Sequence, residues 1–193
     1  MNIKNKKRNV SIPFFCLIIL ILSQSITFSE PITLQAEEYF NKANDAFFAG
    51  NIQEAITYSE KAIAIDPDHA SAYHALSVIY FDLGEFQKSA TYGEKAIEKD
   101  PKDNRFYQWL ASVYIEMGNE RKAIANWKSA LELNPEDADS CGSIGYVYYE
   151  SGQYQEAKQY LLKAKGLYEK QGDIERMKMI EEVIEAILEA AQS

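Results

Sequence analysis

The chain has 193 residues, room for one ordinary domain or a short repeat array, and its 47% hydrophobic content excludes a disordered protein. Of its 20 basic residues, four (Lys4, Lys6, Lys7 and Arg8) fall within residues 1–29, which hold no acid. The remaining 16 face all 29 acidic residues, a formal charge near −13, and a body that acidic excludes a nucleic-acid binder because it repels phosphate.

Residues 1–29 read as an address. The basic cluster from Lys4 to Arg8 precedes the apolar run Ile12 to Leu22, and Ser23, Gln24, Ser25, Thr27 and Ser29 follow, which is the order of a secretory signal. The run is shorter than the roughly 20 residues that span a bilayer, although extended through Ile26 and Phe28 it would serve as an uncleaved inner-membrane anchor. Export is therefore expected, to a periplasmic or extracellular location, with membrane contact only if this segment is retained. Cys16 is an apolar filler within the run, which leaves Cys141 as the one cysteine of a mature chain and no internal disulfide.

Beyond this leader one period organises the chain. Gly50, Gly84, Gly118 and Gly152 are each 34 residues apart, and so are Ala62, Ala96, Ala130 and Ala164, and Pro67, Pro101 and Pro135. Three residue types in fixed phase predict a repeat architecture. The first unit, residues 36–69, carries Tyr39, Ala43, Ala46, Gly50, Ala55, Ala62 and Pro67. The second, residues 70–103, carries Tyr73, Leu76, Ser77, Tyr80, Gly84, Ala96 and Pro101, with Ser89 where the others have alanine.

The third unit, residues 104–137, shows the physics most clearly. Tyr107, Leu110, Ala111 and Tyr114 recur at i, i+3, i+4 and i+7, one face of a helix. Gly118-Asn119 interrupts it, and a second stripe of Ala123, Ile124, Trp127, Ala130, Leu131 and Leu133 runs to Asn134-Pro135, where proline ends the helix. The fourth unit, residues 138–171, has Ile144-Gly145, Tyr148, Gly152, Ala157 and Ala164, but Cys141 replaces the aromatic and Glu169 replaces the proline. Its second helix is therefore expected to run on to about Gln171, before Gly172-Asp173 makes a stop and a new N-cap. A last helix over residues 173–191 carries the stripe Met177, Ile180, Ile184, Ile187 and Ala191, either a cap on the stack or a dimer seam.

These motifs resemble the tetratricopeptide repeat family, whose units place an aromatic, a Leu-Gly pair, Tyr, Ala, an aromatic and Pro over 34 residues. The resemblance covers residues 36 to about 169. It implies an all-α fold, a right-handed superhelical stack of about four helix-turn-helix hairpins plus a C-terminal capping helix.

It also implies where function lies, because first helices line the concave side, which in that family holds a peptide or helix. Carried onto this chain, the groove is formed by Phe40, Asn41, Asn44 and Phe47 from the first unit and His74, Val78 and Phe81 from the second. Arg105, Gln108, Trp109 and Ile115 follow from the third, and Tyr146 and Tyr149 from the fourth. So aromatic a wall suits an apolar or amphipathic protein segment, with Asn and Gln side chains for its backbone. Phe47, Phe81 and Tyr149 would equally serve packing. Only Asn44 and Arg105 match the clamp that grips a terminal carboxylate in the chaperone-binding members, and Phe40, Ala75 and Trp109 fill its other slots, against that partner class.

No reactive constellation stands out. His69 lies in an inter-repeat turn and His74 on a helix, so they form no metal pair, and Cys141 sits at a packing position as a buried thiol. The glycines end helices rather than cradle phosphate. No enzyme activity, metal or cofactor is expected. The expected function is that of an exported, monomeric adaptor in envelope-associated complex assembly. The alternative is a structural subunit that docks through its convex face and last helix.

Overall fold

The computed structural model describes residues 32–190, so the leader at residues 1–29 and the stripe position Ala191 lie outside it. Nine helices and no strand occur among the described residues: α1 (Ile32–Phe48), α2 (Ile52–Ile65), α3 (Ala70–Asp82), α4 (Phe86–Lys99), α5 (Asn104–Glu116), α6 (Glu120–Leu133), α7 (Ala138–Glu150), α8 (Tyr154–Gln171) and α9 (Ile174–Ala190). Each odd-numbered helix from α1 to α7 pairs with its successor as a hairpin, each hairpin packs on the next, and α9 closes the end against α8 and α7. The fold is the expected all-α superhelical stack.

The punctuation of the sequence becomes backbone geometry. Gly50, Gly84, Gly118 and Gly152 take φ of 79°, 73°, 68° and 72°, a left-handed conformation that would cost another residue about 1 kcal/mol. It lets the next N–H turn back on the helix: Asn51 to Ala46, Glu85 to Tyr80, Asn119 to Tyr114 and Gln153 to Tyr148, each at 2.8 Å. Second helices end differently. Asp66, Asp100 and Asn134 precede the three prolines, and their side chains accept from the N–H of Asp68, Lys102 and Glu136 at 3.0, 3.0 and 3.3 Å. With Glu169 in place of proline, α8 runs to Gln171, where Gly172 stops it and Asp173 caps α9 by accepting from Arg176 N at 3.0 Å.

Small residues set how closely the helices approach. Ala62, Ala96, Ala130 and Ala164 are all fully buried. Gly145 has no room for more, because a Cβ there would lie 2.7 Å from Leu161 Cγ and 3.1 Å from its backbone nitrogen. The second hairpin uses two serines instead. Ser77 Oγ donates to Ser89 O at 2.8 Å and Ser89 Oγ to Ser77 O at 2.7 Å, so both buried hydroxyls are satisfied across the α3–α4 contact.

The stripe of α9 is used inside the chain. Ile184 and Ile187 pack on Ala157 and Leu161, while Met177 and Ile180 cover Ala138, Cys141, Ala164 and Tyr168. Each isoleucine buried there contributes about 1.5–3 kcal/mol. The stripe is thus covered by the last hairpin, the arrangement expected of a cap on the stack. Cys141 is fully buried in the same contact, and burial pushes its thiol pKa up, away from a reactive thiolate.

Candidate functional groove

The 34-residue period returns the same helix position to the same side of each hairpin, so the first helices α1, α3, α5 and α7 build one wall in register. Three adjoining clefts run along it. The first, about 280 Å³ between α1, α3 and α5, brings together Phe40, Asn44, Phe47, His74, Val78 and Arg105. The second, about 380 Å³, is lined by His74, Arg105, Gln108, Trp109 and Asp139. The third, about 480 Å³ between α5, α7 and α9, contains Ile115, Trp127, Tyr146, Arg176 and Met179. His74 and Arg105 belong to the first two clefts, and Ser112, Trp127, Asp139 and Ser143 to the last two, so the three form one trough.

Not every residue expected in the groove is available there. Asn41 is exposed on α1 and lines none of the clefts. Phe81 is held between Phe86 and Trp109, with ring centroids 5.3 and 5.1 Å away, and Tyr149 lies between Tyr146 and Tyr154 against the α8–α9 core. Gln108 lines the second cleft, but its amide donates to Asp137, the N-cap of α7, rather than standing free for a partner's backbone. Trp109 is likewise tied down, its indole Nε1 donating to Ser77 Oγ at 2.8 Å.

The polar groups of the trough are arranged with their own counterparts. Arg105 binds Asp103 through Nε, at 2.9 and 3.1 Å to the two carboxylate oxygens, and Asp103 caps α5. The guanidinium holds the Asp103 carboxyl below the usual range. His74 lies against the rings of Phe106 and Trp109, at 5.1 and 5.6 Å. Burial, with the nearby Arg105 charge, lowers its pKa to about 4, so it is neutral at physiological pH. At the far end, Arg176 pairs with Asp139 and Asp173 and lies 5.0 Å over the Tyr168 ring, while Tyr168 donates to Asp139 at 2.6 Å.

Several lining residues escaped the sequence reading. Phe48, 86% exposed, borders the first cleft, and Trp127, a second-helix residue assigned to the core, forms part of the third. Arg176 and Met179 come from α9, which follows the last repeat, so no period points to them. One missed signal was periodic. Asp82, Glu116 and Glu150 are 34 residues apart, and each is the last residue of its helix, α3, α5 and α7. No basic residue occupies the last turn of any of the three. A carboxylate at the negative end of a helix dipole costs about 0.3–1 kcal/mol, yet the position is acidic three times running. None of the three is in an ion pair among the described residues.

Comparison with known proteins agrees with this architecture. The MamA crystal structure is 25% identical in sequence, and the likeness covers 78% of this chain and 86% of that one with a TM-score of 0.68. A tetratricopeptide repeat protein from Parabacteroides merdae ATCC 43184 is 21% identical, over 81% of this chain and 61% of that one, with a TM-score of 0.71. YrrB, a tetratricopeptide repeat protein with an unusual peptide-binding site, is 19% identical over 85% and 99% of the two chains, with a TM-score of 0.60. At these identities the last two share the fold alone. No curated protein sequence matches. The profile of the tetratricopeptide repeat matches residues 40–104 and 110–172. The chain belongs to the tetratricopeptide repeat family.

Proposed function

We propose that this chain is an exported adaptor that holds an extended or helical segment of a partner protein in the concave trough. The continuity of the three clefts carries this reading: shared lining residues join them into one channel across all four first helices and α9. Tetratricopeptide repeat proteins are generally non-catalytic adaptors that bind proteins or peptides. The trough offers aromatic rings and a neutral histidine, which suit side-chain recognition better than bond making. Export is supported by the basic-then-apolar order of residues 4–22. An exported interaction module of this kind would serve in the assembly of envelope complexes.

Crosslinking capture from the native host with the full chain tests this reading, run beside a Phe40→Ala, Tyr146→Ala variant whose fold is checked by circular dichroism. Both residues line the trough, and Tyr146 is 51% exposed, so its truncation leaves the core intact. A partner held by the parent and lost by the folded variant supports the trough. A partner kept equally by both moves the interaction to the convex face and overturns the proposal.

A further inference from the structure

Resting on the trough as the docking site, we infer that its occupant is a cationic amphipathic segment: apolar side chains seated in the third cleft, and Lys or Arg side chains against the row of Asp82, Glu116 and Glu150 that ends the three first helices, with Glu116 at the cleft itself. Two observations define that chemistry. The third cleft is floored by Trp127, Val147 and Ile180, all apolar, and Met179 stands 60% exposed at its edge. Glu116 lines the same cleft, and Asp82 and Glu150 hold the same helix-ending position one repeat before and after it, Glu150 one turn beyond Tyr146, which also lines the cleft.

The charges near the trough complement such a segment. Its two arginines, Arg105 and Arg176, are already bound to Asp103 and to Asp139 and Asp173, so they have little attraction left for an acidic partner. The three rim carboxylates have no cationic partner among the described residues, and they stand where each helix dipole disfavours them. An incoming row of ammonium or guanidinium groups would relieve both the dipole conflict and the mutual repulsion. The remainder of the chain, at a formal charge near −13 after its leader, would steer that segment toward the protein from a distance.

The probe is a fluorescein-labelled helical peptide of leucine and lysine, about 15 residues or four turns long, with its leucines on one face. Two companions replace every lysine by glutamine or by glutamate. Binding to the full chain is read by fluorescence anisotropy at two salt concentrations. The expected result is that the lysine peptide binds at least about tenfold tighter than the glutamine peptide, weakens with salt, and outcompetes the glutamate peptide entirely. Combining Asp82→Lys, Glu116→Lys and Glu150→Lys should weaken it by at least about tenfold, and Met179→Glu should weaken it too. Glu60→Lys, Glu98→Lys and Glu132→Lys make the same change in net charge on exposed positions of α2, α4 and α6, and together they should leave binding within about twofold.

Equal loss in both triple variants would mean attraction to net charge alone and would overturn the inference. A glutamine peptide that binds as well as the lysine peptide, and is lost in Phe40→Ala with Tyr146→Ala, would overturn the cationic occupant while leaving the trough as a docking site. No binding of any peptide that depends on trough residues would overturn both. Circular dichroism of each variant separates lost binding from lost fold.

Discussion

Trp109 Nε1 donates to Ser77 Oγ at 2.8 Å, a bond that crosses from the third hairpin to the second, and Ser77 is itself locked to Ser89 on the neighbouring helix. The most conspicuous aromatic of the groove is therefore also a fastener between repeats. Ser77→Ala is expected to cost about 1 kcal/mol, because the half-buried indole N–H loses its acceptor. Trp109→Phe should remove the same bond, so a double-mutant cycle of the two by thermal or urea unfolding should return a coupling of about 0.5–1.5 kcal/mol. Strict additivity would mean that the bond contributes nothing.

That bond marks the line between what could be read along the chain and what could not. Gly118, Ala130 and Pro135 announce the fold because each meets a local requirement: a left-handed turn, a close helix approach, a missing N–H. Their 34-residue recurrence then multiplies one local argument into an architecture. The groove positions followed from the same period, which is why Phe40 and His74 fall on one trough, as do Asn44, Val78 and Tyr146. What each side chain does there depends on a partner about one repeat away. Gln108 turns to Asp137, Trp109 to Ser77, and Phe81 inward to Trp109, and no spacing rule names those partners. Ser77 and Ser89 standing where other units have Gly or Ala was the one clue to the fastener. Arg176 and Met179 were invisible for a different reason, since α9 lies after the last period.

Two glycines separate close approach from mere occupancy. Gly145→Ala should destabilise the protein by about 1–3 kcal/mol, because the new methyl meets Leu161 at 2.7 Å and must push the two helices of the fourth hairpin apart. Gly166 is exposed in α8 with nothing within 4 Å of a Cβ, so Gly166→Ala should stabilise by about 0.5–1 kcal/mol. Denaturant midpoints of the two variants should shift in opposite directions.

The closing helix makes a third prediction. Ile187 is 3% exposed against Ala157 and Leu161, and Ile187→Ala should cost about 2–5 kcal/mol while leaving the mass in solution unchanged at one copy. Sedimentation equilibrium checks the second half. A dimer in the parent that this variant dissolves would mean that α9 serves between copies as well as within one.

His74 predicts a pH dependence. Its pKa is about 4 in the folded chain against an ordinary 6.5, so the unfolded state takes up a proton first as pH falls. Stability contributed by the neutral ring is complete above pH 6.5 and is lost progressively down to about pH 4, in total about 3 kcal/mol. Below that the folded form also binds the proton and the loss levels off. Arg105 and Asp103 are the charged groups that bear on it, and they act in opposite directions. Unfolding of parent and His74→Gln compared between pH 7 and pH 4 isolates the effect: the parent should lose stability relative to the variant, and parallel curves would mean the ring titrates normally.

The rim carboxylates predict a gain. Asp82 and Glu116 end α3 and α5 with no basic residue in the last turn, so each opposes the helix dipole without a compensating ion pair. Replacing either by lysine places the favourable sign there and should stabilise the protein by about 0.3–1 kcal/mol in low salt, less as salt is added. Glu150 is less suitable for this test, because it lies one turn beyond Tyr146, itself a trough residue. Thermal unfolding of Asp82→Lys and Glu116→Lys should therefore move upward in the same variants that weaken binding of a cationic segment. Opposite signs on stability and binding are what a position kept acidic for a partner requires. If both substitutions instead lower the midpoint, the carboxylates support the fold itself, and their periodic recurrence says nothing about what the trough holds.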